Sequence, residues 1–312
     1  MICGLVFLLA ATIVLVYNSS GLYYGHPSIR PFAVNRFQPN CDFQLEEPFL
    51  NDSPPAPKPS PEIDDRLYLQ SVARTFQVLE ALANVPRPPS LRELAQLSGL
   101  DKSAVQRIAY TLQCLGYMER DSQSGGIVPG RRLLDRSFDY LRSNPLIAQV
   151  TPVLSNLRKV TGERVDFSLF DRHTTLYALR MQSKRETFFA TLIGRRIPSF
   201  ASSGGRACLS HLPEEEARLI IETSDRKPIT PRTLTDPDQI MARIAEAREA
   251  GYACALEESL LGEVVIGAAV LDQQGRPAGA IHIAGSLAEW DEQRFRRKFS
   301  PLLLEATRAL SG

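Results

Sequence analysis

Apolar residues recur every three to four positions in three successive segments between residues 71 and 115, which is the spacing of amphipathic helices. The first segment predicts a helix over residues 71–85 with Ser71 as its N-cap. Its predicted buried face contains Val72, Phe76, Leu79, Leu82 and Ala83. Prolines at positions 86, 88 and 89 end this helix, because a proline ring restricts its own backbone and that of the preceding residue.

The second and third segments are predicted to form a helix-turn-helix. A capping box, Ser90-Leu-Arg-Glu93, opens a short helix that ends at Ser98-Gly99. Asp101 is the predicted N-cap of the third helix, whose buried stripe is Val105, Ile108, Ala109, Leu112 and Leu115. Two short helices joined by a glycine-containing turn are typical of this motif. Residues 117–128 then predict a β-hairpin around a polar turn, which would form a wing.

The polar face of the third helix carries groups that suit DNA. Gln pairs with adenine edges and Arg with guanine edges, whereas Lys and Ser are good phosphate ligands. The candidate DNA-binding residues are Ser90, Lys102, Ser103, Gln106, Arg107, Tyr110 and Gln113. Residues 66–136 hold ten Lys or Arg against six Asp or Glu, although the chain as a whole is nearly neutral at +1. The alternative is that this face is only solvated.

Residues 131–312 mix helix and strand patterns. The predicted helices are 131–141, 145–160, 205–212, 213–223, 237–250 and 291–310. The predicted strands are 165–170, 174–179, 188–193, 264–271 and 278–284. Together with the first half, this pattern predicts an α+β protein. Its expected divisions are an extension at 1–62, a DNA-binding domain at 63–130, a linker helix at 131–144 and a second domain at 145–312.

Residues 66–312 resemble the IclR-type bacterial transcriptional regulators. The first half carries the resemblance in Ser71–Leu79, Ser90–Leu100, Lys102–Arg107 and Leu112–Tyr117. The second half carries it in Gly194–Pro198, Ser202–Leu209, Leu212–Glu216, Gly251-Tyr252 and Glu257-Glu258. The resemblance implies a winged helix-turn-helix, a GAF-like effector-binding domain and a homodimer or homotetramer. It also implies two ligands, double-stranded operator DNA and a small organic acid. The spacing is similar to that of the branch that controls aromatic-acid catabolism.

The turn at residues 202–205 is a candidate anion site, because it precedes a predicted helix whose free N–H groups favour negative charge. The hydroxyls of Ser202 and Ser203 would add hydrogen bonds; alternatively, one of them only caps the helix. The resemblance carries over further effector-binding residues, so that the full candidate set is Ser202, Ser203, Gly204, Ala255, Val265, His282 and Ala284.

Three of these positions depart from the family pattern. Acidic or polar residues are common in the family at position 255, and small hydroxyl residues at 282 and 284, where this chain has Ala255, His282 and Ala284. The pocket is therefore expected to be more apolar, with one imidazole. Strand alternation places His282 on the face opposite Ile281 and Ile283. It would bind a carboxylate or phenol, or else be satisfied within the structure.

Catalysis, metals and cofactors have no support in the sequence. Position 201 is alanine, so Ser203 does not lie in a G-x-S-x-G elbow. The four histidines are far apart, and neither a P-loop nor a G-x-G-x-x-G motif occurs. The five cysteines lack C-x-x-C spacing, which favours a reduced, cytoplasmic setting. We therefore expect a protein without catalytic residues, metal or cofactor.

Residues 1–62 differ from the remainder. Residues 2–16 are nearly all apolar, yet a membrane-spanning helix needs about 20 such residues. Residues 52–62 contain five prolines and are typical of a semi-extended linker. We interpret 1–62 as a misassigned start or an extension without a role in the fold. The alternative is a membrane anchor at residues 1–25, which would make the protein a tethered ligand sensor.

Overall fold

The computed structural model describes residues 64–83, 85–183 and 193–310. The N-terminal part of this range is a winged helix-turn-helix. Its elements are α1 (Gln70–Glu80), α2 (Leu91–Ser98), α3 (Lys102–Cys114), β1 (Met118–Arg120) and β2 (Ile127–Pro129). Strands β1 and β2 pair antiparallel, as the hairpin pattern predicts. The core formed by the three helices and the hairpin contains Val78, Leu94, Val105, Ala109, Leu112, Met118 and Ile127.

The caps of α2 and α3 form as the sequence predicts. The Ser90 hydroxyl accepts a hydrogen bond from the backbone N–H of Glu93, whose carboxylate accepts one from the N–H of Ser90. Gly99 follows α2 with a φ of 67°, which L-residues other than glycine rarely adopt. Asp101 accepts a hydrogen bond from the N–H of Ala104 at 2.9 Å. These caps fix where α2 ends and α3 begins, and therefore which side of α3 faces outward.

Helix α1 differs from its prediction. It begins at Gln70 after Leu69, which provides no side-chain cap, so the assignment of Ser71 as N-cap was wrong. It also ends at Glu80 rather than at residue 85. Val72 and Phe76, predicted to be buried, are 47% and 55% exposed. The reason is that α1 contacts α2 and α3 through the side that carries Val78, which leaves its other apolar side open.

The second part of the chain is an α+β domain. Helix α4 (Arg132–Ser143) precedes this domain, whose helices are α5 (Pro145–Thr161), α6 (Ser203–Leu209), α7 (Glu214–Glu222), α8 (Pro237–Ala250) and α9 (Glu292–Arg308). Its strands are β3 (Arg164–Asp171), β4 (Thr174–Met181), β5 (Arg196–Pro198), β6 (Ala253–Leu256), β7 (Glu263–Leu271) and β8 (Pro277–Ser286). The strand order is β5-β4-β3-β8-β7-β6, with antiparallel neighbours throughout. This arrangement confirms the α+β prediction.

Four of the five predicted strands of this domain are present within one or two residues of their expected bounds. The fifth, 188–193, falls mostly on residues 188–192, which lie outside the described residues. The short edge strands β5 and β6 were not predicted. Both are only three or four residues long, too short for a strand alternation to stand out in the sequence.

The six-stranded sheet separates two layers of helices. Helices α5 and α9 pack on one face against large apolar side chains such as Phe167, Ile266 and Ile281. Helix α6 packs on the other face, against β7 and β8. Its approach is close, because a Cβ on Gly267 would lie 2.6 Å from the backbone nitrogen of Gly204. Glycines at the contact therefore let α6 lie directly on the sheet.

Candidate functional site

The outward side of α3 carries the predicted recognition residues. Val105, Ala109 and Leu112 bury the opposite side of the helix in the core. The exposed side chains are Lys102, Ser103, Gln106, Arg107 and Tyr110. A helix placed in this way presents a row of hydrogen-bonding groups that fits the major groove of DNA.

Two of the candidate serines contribute to helix caps. Ser103 donates a hydrogen bond to the Asp101 carboxylate at 2.6 Å, and Ser90 belongs to the capping box of α2. Both side chains remain exposed. A hydroxyl at a helix N-terminus can contact a phosphate while it keeps its role as a cap.

Gln113 is less exposed than the other candidate residues of α3. Its side chain is partly buried, and its Nε2 atom is buried without a hydrogen-bond partner in the described part of the chain. It lies in the last turn of α3, directly after the core residue Leu112. Its role as a DNA contact stays a prediction.

His282 lies at the centre of the sheet face that α6 covers, on the opposite side from Ile281 and Ile283, as predicted. Its Nε2 is 2.8 Å from the Ser168 hydroxyl, and its Nδ1 is 3.4 Å from the Ser203 hydroxyl. The ring stacks on Tyr177 with centroids 5.1 Å apart. Both ring nitrogens are thus occupied by protein groups, which supports the interpretation of His282 as satisfied within the structure.

Burial lowers the pKa of His282 to about 4, because desolvation disfavours the charged imidazolium. The negative charge of Asp166 opposes this effect, whereas Arg164 and Arg180 add to it. The ring is therefore neutral at pH 7. Ser203 and His282 contact each other, and both side chains are enclosed, at 2% and 0% exposure.

The turn before α6 is also enclosed. The Ser202 hydroxyl accepts a hydrogen bond from the N–H of Gly205 at 2.9 Å, which makes Ser202 the N-cap. Gly204 faces the sheet, and a Cβ there would lie 2.6 Å from Nε2 of His282. The capping interpretation of Ser202 therefore holds, and the first turn of α6 is covered by protein.

The remaining candidate residues lie side by side on the same sheet face. Ala255 is directly opposite Val265, and Val265 is opposite Ala284. The next residue across the sheet, opposite Ala284, is Arg164. Arg164 pairs with the Glu263 carboxylate at 2.5 Å.

A second pair of charged residues adjoins this row. Asp166 accepts hydrogen bonds from Nε of Arg164 at 3.1 Å and from Nε and Nη2 of Arg180 at 2.8 and 3.0 Å. The sequence does not indicate this group, because charged residues in a strand usually face solvent. Only the register of the sheet brings these side chains together.

A buried ion pair joins α6 to the loop between β6 and β7. The Arg206 guanidinium makes two hydrogen bonds of 2.6 Å to the Glu258 carboxylate, and its Nε donates to the carbonyl of Phe200. Glu258 also accepts a hydrogen bond from the N–H of Leu234. This pair, also missed from sequence, fixes α6 relative to the strands that carry Ala255 and Val265.

Within the residues that the structure describes, no group of three or more His, Cys, Asp or Glu residues is placed to hold a metal ion. Nor does any helix in that part of the chain combine the length and apolarity needed to cross a membrane. The proposed anchor, residues 1–25, lies outside the described residues.

Comparisons with known proteins agree on one family. Residues 138–312 match the bacterial transcriptional regulator IclR C-terminal family, and residues 71–122 match the IclR helix-turn-helix domain. The transcriptional repressor IclR of Escherichia coli is 28% identical over 245 residues, which is 78% of this chain and 89% of the relative. The Pca regulon regulatory protein of Pseudomonas putida is 25% identical over 244 residues, 78% of this chain and 83% of the relative.

Solved structures of similar fold come from the same family. A crystal structure of a transcriptional regulator from Rhodococcus has a TM-score of 0.67 at 25% identity, covering 78% of this chain and 97% of that one. An IclR homolog from Microbacterium hydrocarbonoxydans, complexed with 4-hydroxybenzoate, has a TM-score of 0.61 at 22% identity. That match covers 77% of this chain and 100% of the homolog.

Proposed function

The chain belongs to the IclR family of bacterial transcriptional regulators, and on that premise we propose that it reads an operator with α3 and responds to a small organic acid. The observation that carries the DNA part is the exposed polar side of α3 on a capped helix-turn-helix. Within this proposal, Gln106 and Arg107 contact base edges, whereas Ser90, Lys102 and Ser103 contact phosphates and Tyr110 lies beside them. Gln113, which is partly buried in the last turn of α3, remains a candidate contact.

Arg107→Ala tests base recognition. The measurement is fluorescence anisotropy with a duplex from the region upstream of the gene and with a scrambled duplex. Loss of one bidentate base contact costs about 1–3 kcal/mol, so we expect about 5- to 150-fold weaker binding to the specific duplex only. The matched control is Arg297→Ala, an equal charge change on the exposed side of α9. Equal effects of the two variants would overturn the assignment.

Lys102→Ala tests the phosphate contacts. Removal of one phosphate ligand weakens binding to both duplexes by a similar factor and lowers the slope of log affinity against log salt by about 1. Binding curves at four salt concentrations measure that slope. An unchanged slope would remove Lys102 from the proposed interface.

The proposed effector is a small organic acid, held on the sheet face that contains Ala255, Val265 and Ala284. Two similar proteins support this proposal. One is the Pca regulon regulatory protein, and the other is an IclR homolog complexed with 4-hydroxybenzoate. A ligand that binds only the folded state raises the melting temperature, so a thermal-shift screen of aromatic and aliphatic acids is the test. The proposal fails if no acid in the screen raises the melting temperature.

We further propose that the protein acts as a homodimer or homotetramer. Helix α4 has no buried residue, and Leu134 and Phe138, one turn apart on it, are 72% and 62% exposed. Exposed apolar patches of this kind mark protein contacts, and a second copy of the chain is the occupant we propose. Sedimentation should show that Phe138→Glu lowers the association state, whereas Arg136→Glu, on the other side of α4, does not. Unchanged association in Phe138→Glu would refute the proposed contact.

A regulator of this kind works where the chromosome is, so we place it in the cytoplasm, without a cofactor or a catalytic role. We keep the domain boundaries 63–130, 131–144 and 145–312 as part of the proposal. The alternative of a membrane-tethered sensor depends on residues 1–25, which lie outside the described residues.

A further inference from the structure

The row Arg164–Ala284–Val265–Ala255 crosses four adjacent strands on one face of the sheet. Neighbouring strands lie about 4.8 Å apart, so the row is an apolar floor about 10 Å long with a guanidinium at one end. An organic acid has the same two parts, an apolar body and a carboxylate. The row therefore matches the shape and chemistry of such a ligand.

The next row toward α6 is closed to a ligand. His282 and Gly267 lie opposite each other there, and α6 covers both through Gly204. Exposure rises away from α6 along β7, because Gly267 is buried whereas Val265 and Glu263 are half-buried. Val265 is therefore the least enclosed of the three apolar residues of the row, since Ala284 and Ala255 are 1% and 4% exposed.

Arg164 already pairs with two carboxylates at this place. Its Nη1 donates to Glu263, the first residue of β7, at 2.5 Å. Its Nε donates to Asp166, which also receives two hydrogen bonds from Arg180. Asp166 thus stays paired without Arg164, whereas Glu263 is near the edge of the buried region. An incoming carboxylate can therefore replace Glu263 at a smaller cost in free energy than Asp166.

We propose that Arg164 binds the carboxylate of the effector and that Glu263 is the resident carboxylate which the effector displaces. The apolar body of the acid then lies on Ala284, Val265 and Ala255. This inference rests on the proposed effector and changes its site, because it assigns charge recognition to Arg164 rather than to Ser203 or His282. A planar guanidinium suits a carboxylate through paired N–H donors, which lysine lacks.

Two substitutions that break the same ion pair test the proposal, because they should act in opposite directions. Glu263→Gln removes the competitor and is expected to tighten binding of benzoate about tenfold. Arg164→Met removes the ligand's partner and is expected to weaken it by about tenfold or more. Benzamide, which has the same shape without the charge, should respond to neither. Calorimetry on the full chain measures the binding of benzoate and of benzamide to the wild type and to both variants.

The result differs if the ion pair between Arg164 and Glu263 has only a structural role. Both substitutions would then change benzoate binding in the same direction, or not at all, and either outcome overturns the proposal. If Arg164→Met does not fold, the tighter binding of Glu263→Gln still decides the matter. If neither benzoate nor butyrate binds the wild-type or the Glu263→Gln protein, the Arg164 assignment is wrong. DNA binding, measured separately, would leave the DNA part of the proposed function standing in that case.

Discussion

The two faces of the six-stranded sheet are built from alternate residues of the same strands, yet their chemistry differs. Toward α5 and α9, β3 and β8 contribute Phe167, Ile281 and Ile283, all fully buried and apolar. Toward α6, the same strands contribute Asp166, Ser168 and His282, which are equally buried and polar. Burial alone therefore does not distinguish the two faces. The face proposed to hold the ligand differs because Arg164 and other buried charged or hydrogen-bonding groups adjoin its apolar residues.

This difference implies that neighbouring positions on one strand have separable roles. A substitution on the apolar face should change the free energy of unfolding and leave ligand binding unchanged. A substitution on the polar face should alter the pH dependence of stability, the packing of the sheet against α6, or the affinity for the acid.

The largest expected effect is on the apolar face. Phe167→Ala removes a fully buried ring between Asp166 and Ser168 in sequence, and should lower the free energy of unfolding by about 3–5 kcal/mol. Urea denaturation measures the change. Benzoate affinity of the folded variant should equal that of the wild type. A cost below about 1 kcal/mol, or a large change in benzoate affinity, would contradict the separation of the faces.

The second effect concerns His282 and pH. The pKa of His282 is about 4 in the folded protein, below the ordinary value of 6.5, so the unfolded chain binds the proton more readily. Stability should therefore fall as pH decreases from about 6.5 to about 4, with up to about 3 kcal/mol from this residue. His282→Gln should flatten the curve. The comparison of the two proteins is needed because burial also lowers the pKa of His173 and His211. Identical slopes would refute the role of His282.

The third effect is steric and smaller. Gly204→Ala places a methyl group against the His282 ring and the Cβ of Ala280, and should destabilise the protein by about 1–3 kcal/mol. In a His282→Ser background the ring is absent, so the cost of Gly204→Ala should decrease. A double-mutant cycle measures this coupling. If the two substitutions change the free energy of unfolding additively, Gly204 of α6 does not pack against the His282 ring.

The elements with local sequence signals were largely predictable. In the helix-turn-helix, the contacts of Ser90 with Glu93 and of Asp101 with Ala104 lie within one helical turn. In the second domain, α8 runs over the predicted residues 237–250. The exposed side of α1 was not predictable in the same way. Apolar periodicity shows that Val72 and Phe76 share a side, but not whether that side meets this chain or another.

The polar face of the sheet was predictable only in part. Alternation placed His282 on the correct face, and the family resemblance pointed to Ala255, Val265 and Ala284, which the structure places side by side. Arg164 pairs with Glu263, which is 99 positions away along the chain. Contacts of this kind depend on strand register, which a single sequence does not specify.

The central claim is that an acid bound on the polar face of the sheet changes the occupancy of a specific DNA sequence. The most direct measurement is anisotropy of the full-chain protein with the upstream duplex and with the scrambled duplex, each with and without saturating benzoate. We expect the protein to prefer the upstream duplex, and we expect benzoate to shift the Kd for that duplex about fivefold or more, with no such shift in Arg164→Met. Equal affinity for the two duplexes, or a Kd that benzoate leaves unchanged, would contradict the claim.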